Sequence, residues 1–193
     1  MRIGIILRPD VSSGGKSIHI CYDSFVKIIK KYNHIPIGIM DMEGLKTVDR
    51  VICQGGDEYN SFDLEAISYC YLNDIPLLGI CLGMQTMGVL FDGKLDDIDN
   101  HKSTSKYVHE VKINKDSKLY KILNKDVIRV NSRHKSYVKS TKLKVSALSD
   151  VIEAIEDSDK KFFIGLQWHP EDMVSYDDLE EKIFSYFLGD LWI

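Results

Sequence analysis

Pro76-Leu77-Leu78-Gly79-Ile80-Cys81-Leu82-Gly83-Met84-Gln85-Thr86-Met87-Gly88-Val89-Leu90 changes its hydrophobic rhythm at a single residue. Up to Ile80 the run is short and continuously apolar, as a strand buried on both faces requires. Residues 82–90 then read as an apolar helix. Cys81 stands at the junction, flanked by Gly79 and Gly83. Small neighbours let a backbone turn sharply from strand into helix and hold a nucleophile in a strained conformation at the turn. The positive end of the helix favours the reactive thiolate. Read alone, Cys81 is equally compatible with a small buried hydrophobe, and only a companion base decides between the two.

Upstream of this junction, apolar runs of strand length alternate with stretches of helical period, the pattern of parallel strands joined by crossover helices. Residues 3–7, 35–40 and 50–53 read as strands. Tyr22, Phe25, Val26 and Ile29 predict a helix over residues 17–32, and Leu64, Ile67 and Tyr71 mark another. Downstream the pattern changes. Residues 92–106 are polar and read as a loop. Residues 107–113, 127–130, 143–149, 151–156 and 162–167 read as strands with short connections, much of them antiparallel. A last helix is expected from Ser175 as N-cap, burying Leu179, Ile183, Phe184 and Phe187.

The 193 residues are enough for one core, and no repeat or Pro/Gly/Ser-rich linker divides residues 1–193, so a single domain is expected. Apolar residues at 44% and charged residues at 28% argue against disorder and against a membrane protein. The apolar start reaches Arg8-Pro9-Asp10 too soon for a signal peptide or a spanning helix, so a cytoplasmic protein is expected. Cys21, Cys53, Cys70 and Cys81 lack the close pairing of a zinc site and the density of a disulfide scaffold, which predicts reduced thiols. A net charge of -4 with scattered Lys and Arg makes nucleic acid a poor partner and a small molecule a better one.

The candidate base lies in Gln167-Trp168-His169-Pro170-Glu171, after another apolar strand. His169 and Glu171 are two residues apart, so an extended backbone continuing past the strand points both side chains the same way. The histidine takes the thiol proton and returns it to a leaving amine, while the carboxylate fixes the imidazole tautomer. A polar pair at a strand end is the plainer alternative.

Taken together, G-x-C-x-G and W-H-P-E resemble the signature of class I glutamine amidotransferases and of the related γ-glutamyl hydrolases. The resemblance implies an α/β fold with a mixed, mainly parallel central sheet flanked by helices, flavodoxin-like, with Cys81 on a nucleophile elbow. It implies a catalytic triad of Cys81, His169 and Glu171 that cleaves a γ-glutamyl amide without metal or organic cofactor. Gln54-Gly55-Gly56-Asp57 looks like the family's glycine turn, so the amides of Gly56 and Leu82 become the expected oxyanion hole. Taken alone, Gly-Gly-Asp is an ordinary turn. Gln85 matches the family position that touches the bound γ-glutamyl group, its alternative being a helix-surface amide.

Asn131-Ser132-Arg133-His134 resembles the N-S-x-H stretch of the hydrolase branch, which makes Ser132, Arg133 and His134 candidates for holding the glutamyl moiety. An arginine at a strand end also often contacts only water. Likeness to that branch continues through residues 93–98 and 117–123, and His101 is read as structural. Within the branch the chain is most similar to small γ-glutamyl-CDP-amidate hydrolases of capsular polysaccharide modification, which implies a nucleotide-linked substrate. The competing expectations are a glutaminase subunit that passes ammonia to a partner synthetase, and a silent binding protein on the same fold. Gly14-Gly15-Lys16-Ser17 imitates the end of a P-loop, but Asp10 stands where that loop needs glycine, so a capped loop is expected. Lys16 touching a phosphorylated leaving group is the alternative there.

Overall fold

Strands separated by helices pair in parallel, because the crossover returns the chain to the same end of the sheet. The computed structural model describes residues 1–99 and 101–189. Its first half runs Arg2–Ile6 (β1), Arg8–Val11 (β2), Ser17–Ile20 (β3), Asp23–Lys31 (α1), Ile35–Ile39 (β4), Met42–Leu45 (α2), Arg50–Cys53 (β5), Ser61–Leu72 (α3), Leu77–Ile80 (β6) and Leu82–Leu90 (α4). The second half runs Lys94–Asp97 (β7), His109–Ile113 (β8), Lys118–Leu123 (α5), Val127–Val130 (β9), Ser136–Ser140 (β10), Lys144–Leu148 (β11), Ile152–Glu156 (β12), Phe163–Leu166 (β13) and Asp178–Phe187 (α6), with a 3-10 turn over Pro170–Asp172.

The main sheet is ordered β4-β1-β5-β6-β13-β12-β11-β8-β9. Its first five strands are parallel, and the sheet continues through antiparallel partners from β12 outward. This is the expected mixed α/β sheet flanked by helices. Alternation along the strands divides the core in two. Ile52, Leu78 and Ile164 join α1, α5 and α6 on one face, whereas Val51, Leu77 and Phe163 join α2, α3 and α4 on the other. Fully burying one such side chain contributes about 1.5–3 kcal/mol, so the two faces together hold the sheet between its helices. Among the described residues no helix is long and apolar enough to cross a membrane.

Three local expectations are corrected, and two short helices went unread. Residues 17–32 are not one helix: β3 pairs with β2 as a hairpin, Arg8 opposite Ile20 and Val11 opposite Ser17, and the helix begins at Asp23. The turn passes through Gly15 at φ +74, which suits glycine, and Ser17-Ile18-His19-Ile20 has the two-residue alternation of a strand. Residues 92–106 include β7, which pairs with β10; charges such as Asp96 and Lys139, bridged at 2.7 Å, hide both strands from a hydrophobic reading. The last helix is capped by Asp177, not Ser175, with the Asp177 carboxylate accepting from the Leu179 amide. Short α2 and α5 carry too few turns to show a period.

Candidate active site

In an open parallel sheet, ligands bind beyond the carboxyl ends of the strands. Here β1, β5, β6 and β13 deliver Arg8, the 54–57 turn, Cys81 and residues 167–171 to that one edge. Cys81 caps α4 at φ 52, ψ -103, a conformation that costs a non-glycine residue on the order of 1–3 kcal/mol. Its amide donates to the Leu166 carbonyl at 2.7 Å, which ties the elbow to the neighbouring strand. The flanking glycines are demanded by packing. A Cβ on Gly83 would lie 2.0 Å from the Cys53 carbonyl oxygen, and one on Gly79 would lie 2.5 Å from the Met87 sulfur.

His169 follows β13 and is gripped from β9, where Asn131 accepts from the His169 amide at 2.9 Å and donates to its carbonyl at 2.8 Å. Pro170 starts the 3-10 turn, and that turn swings Glu171 back to the ring, 2.7 Å from Nδ1. The pair therefore forms through a tight turn, which corrects the expectation of a continued extended backbone; proline at the first helical position favours it. A carboxylate can only accept, so Nδ1 carries the hydrogen and Nε2 is left for the sulfur side. Gly55 faces both groups: a Cβ there would stand 2.9 Å from His169 Cε1 and 3.6 Å from Cys81 Cβ. Burial alone pulls the imidazolium down, but the Glu171 carboxylate and the Cys81 sulfur outweigh it and hold His169 well above its ordinary range. Gln167 Nε2 points at the Cys81 sulfur from 3.7 Å.

The glycine turn is held from beneath by Arg8, a buried guanidinium that binds Asp63 at 2.6 Å and donates to the carbonyls of Gln54 at 2.6 Å and Gly55 at 3.1 Å. Asp63 is fixed in turn by the capping box it forms with Asn60 at the start of α3. Gly56 lies against Leu82, since a Cβ on Gly56 would meet the Leu82 side chain at 3.0 Å. As the first residue of α4, Leu82 offers an amide with no partner inside its helix.

Residues 54–171 match the peptidase C26 family. The chain belongs to that family. A glutamine amidotransferase-type protein of Schizosaccharomyces pombe is 34% identical over 136 residues, covering 64% of this chain and 53% of the relative, so the alignment spans about half of that relative. Protein NtpR of Enterococcus hirae is 25% identical, covering 96% of this chain and 95% of its own. The glutaminase domain of Trypanosoma brucei CTPS, solved with bound acivicin, superposes with a TM-score of 0.74 at 16% identity, covering 100% of this chain and 95% of that one, a likeness of fold.

In this C26 chain two adjoining cavities, about 320 and 220 Å³, share Gly56, Asp57, Cys81, Lys102 and Arg133 in their walls. The larger adds Tyr22, His169 and Glu171; the smaller adds Gln85 and His134. Gln85 is buried, not a surface amide, and donates to the Ser136 carbonyl at 2.7 Å. Burial pushes the His134 imidazolium down to about 4. Ser132 is fully buried and lines neither cavity. Arg133 donates to the carbonyls of Ser103, Ser105 and Ser132 rather than reaching only water. Lys16 is exposed in the β2–β3 turn, outside both cavities. Sequence reasoning missed Arg8, Tyr22, Lys102 and Asn131. An arginine directly after a buried strand and an asparagine opening the quoted N-S-x-H stretch were readable signals; Lys102 gave none.

Proposed function

We propose that this chain hydrolyses a γ-glutamyl amide, with Cys81 as nucleophile, His169 as base and then acid, and Glu171 as the carboxylate that orients it. The observation that carries the reading is the meeting of a positive-φ cysteine at a helix N-terminus with a buried His169–Glu171 pair across Gly55. Cys81 sulfur attacks the amide carbon as its proton passes to His169 Nε2. The amides of Gly56 and Leu82 receive the oxyanion. His169 returns the proton to the departing nitrogen, the C–N bond breaks, and a glutamyl thioester remains. Water, deprotonated by His169, then attacks the thioester; glutamate leaves and the thiol is restored. These steps use side chains and backbone amides.

The substrate we assign is γ-glutamyl-CDP-amidate, giving glutamate and cytidine diphosphoramidate in capsular polysaccharide modification. Its support is the N-S-x-H likeness together with Lys102 and Arg133, cations that line both cavities around Cys81 and suit a diphosphate. Gln85 and His134 line the smaller cavity as the glutamyl side of the site. A second reading, a glutaminase that hands ammonia to a synthetase, draws on the fold likeness to the CTPS glutaminase domain. Purified protein alone, given a panel of γ-glutamyl amides, separates them. The expected result is glutamate release with the phosphorylated amide strongly preferred over glutamine and lost in Cys81→Ala, while the Cys81→Ala protein keeps its fold. A glutamine-like electrophile should label Cys81 and spare Cys21, Cys53 and Cys70; burial raises the Cys21 thiol and pushes those of Cys53 and Cys70 up to about 11 and about 12. No turnover alone, with glutaminase activity appearing once a synthetase is added, would replace the hydrolase by the ammonia donor.

A further inference from the structure

Behind the substrate side of the cleft, three segments distant in sequence bring His101, His109 and Glu153 together. One ligand atom from each lies within 4.8 Å of the other two. Glu153 is 0% exposed on β12, and His109 opens β8. Glu153 Oε1 stands 3.5 Å from His101 Nε2 and 3.3 Å from His109 Nε2, yet neither nitrogen makes a hydrogen bond there. Ser149 Oγ donates to Oε1 at 2.7 Å, while Glu153 Oε2 has no hydrogen-bond partner. Two bare imidazole nitrogens against a buried carboxylate are costly as they stand, and a cation held between those nitrogens and the carboxylate offsets that cost.

The spacing favours a metal over a shared proton. Ligand atoms about 2.0–2.1 Å from a tetrahedral zinc stand about 3.3–3.4 Å apart, which matches both His–Glu distances. The third edge, between the two nitrogens, falls within the 4.8 Å that bounds the whole cluster. His109 Nδ1 lies 3.4 Å from the Glu110 carbonyl, and a carbonyl only accepts, so Nδ1 carries the hydrogen and Nε2 keeps its lone pair for a metal. His101 is steadied by rings on both sides, its centroid 4.6 Å from that of His109 and 4.6 Å from that of His134. A cavity of about 540 Å³, lined by His101, His109, Ser149 and Asp150, gives an ion access and leaves room for water as fourth ligand. Its walls share no residue with the two cavities around Cys81.

We propose that His101 Nε2, His109 Nε2 and the Glu153 carboxylate bind one zinc ion, a site separate from the Cys81 centre. Two imidazoles and one carboxylate are a donor set suited to zinc, with other divalent first-row ions as weaker or competing occupants. The ion ties the stretch carrying His101 to β8 and β12. That stretch also supplies Lys102 to the Cys81 cavities, and its Ser103 amide donates to the Ser132 carbonyl at 3.0 Å. Zinc there is an ordering ion: it fixes the backbone beside the substrate and takes no part in the bond-breaking.

The test is zinc titration of chelator-stripped protein carrying Cys81→Ala, so that the elbow thiol cannot take the metal. One equivalent is expected to bind and to protect residues 101–108 from proteolysis. His101→Ala and His109→Ala should each weaken zinc at least tenfold with an unchanged circular dichroism spectrum. Both histidines are partly exposed, so these variants fold even where Glu153→Gln does not. Cobalt in place of zinc should give the visible absorption of a tetrahedral nitrogen and oxygen site. No zinc bound at equilibrium, or the same affinity in both histidine variants, overturns the proposal; neither outcome depends on whether the chain is a hydrolase.

Discussion

Glu180→Gln should flatten the fall of stability with rising pH between about 5 and 8. Glu180 is fully buried on α6, and one of its carboxyl oxygens accepts from Trp168 Nε1 at 2.9 Å while the other has no hydrogen-bond partner. Burial drives its carboxyl up to about 8; the Trp168 hydrogen bond opposes this, and the negative groups of Asp177 and Glu171 add to it. An unfolded glutamate titrates near 4.3. Between these values the folded chain holds a proton that the unfolded chain has released, so stability is greatest below the unfolded value and falls as pH rises. The slope is about 1.4 kcal/mol per pH unit, which flattens above the folded value. Over the window this accumulates to a few kcal/mol, a large part of the roughly 5–15 kcal/mol that domains possess. Glutamine keeps an acceptor for Trp168 and has no proton to lose. His169 titrates in both proteins and cancels from the comparison. Urea unfolding at pH 5, 6, 7 and 8 should therefore give similar stabilities at pH 5 and a more stable variant at pH 8. Parallel curves for the two proteins would refute the buried-carboxyl argument.

Two further expectations concern the cleft. His169→Asn should reduce kcat nearly as far as Cys81→Ala does, and Glu171→Gln should reduce it less, because it orients the base without moving the proton; in the double variant the losses should not multiply, which single-turnover kinetics would reveal. Gly83→Ala should destabilise by about 3 kcal/mol or more, since its Cβ meets a backbone oxygen at 2.0 Å, whereas Gly14→Ala, with nothing within 4 Å, should stay within about 0.5 kcal/mol in thermal unfolding.

What was legible in the sequence was local. Residues 76–90 carry the strand, the elbow and the helix in a stretch that is apolar but for Gln85 and Thr86, because all three are buried and the change of period falls at Cys81. The inner parallel strands were readable for the same reason, whereas the edge strand β4 is partly exposed. The β2–β3 hairpin and the β7–β10 pair were not: they lie at exposed places, where charged and polar residues satisfy the pairing and no hydrophobic period is required. The His169–Glu171 contact was expected from their spacing, but for the wrong geometric reason, since a proline-initiated turn and not an extended chain joins them.

Two of the residues that escaped notice, Arg8 and Asn131, share a different property: each stabilises a backbone conformation from a distance. A strained Cys81 and a glycine turn opposite it persist only where their surroundings leave them no alternative. Arg8 supplies part of this from the start of β2, placing its donors on two carbonyls of the turn and on Asp63 of α3. Asn131 supplies another part from β9 by closing both hydrogen bonds on the His169 backbone. Neither side chain is near its partner in sequence, and neither has a residue type reserved for the role. The groups we propose as reacting can be read from short motifs because their chemistry restricts residue type, whereas the supports answer mainly to position, and position appears once the strands are paired.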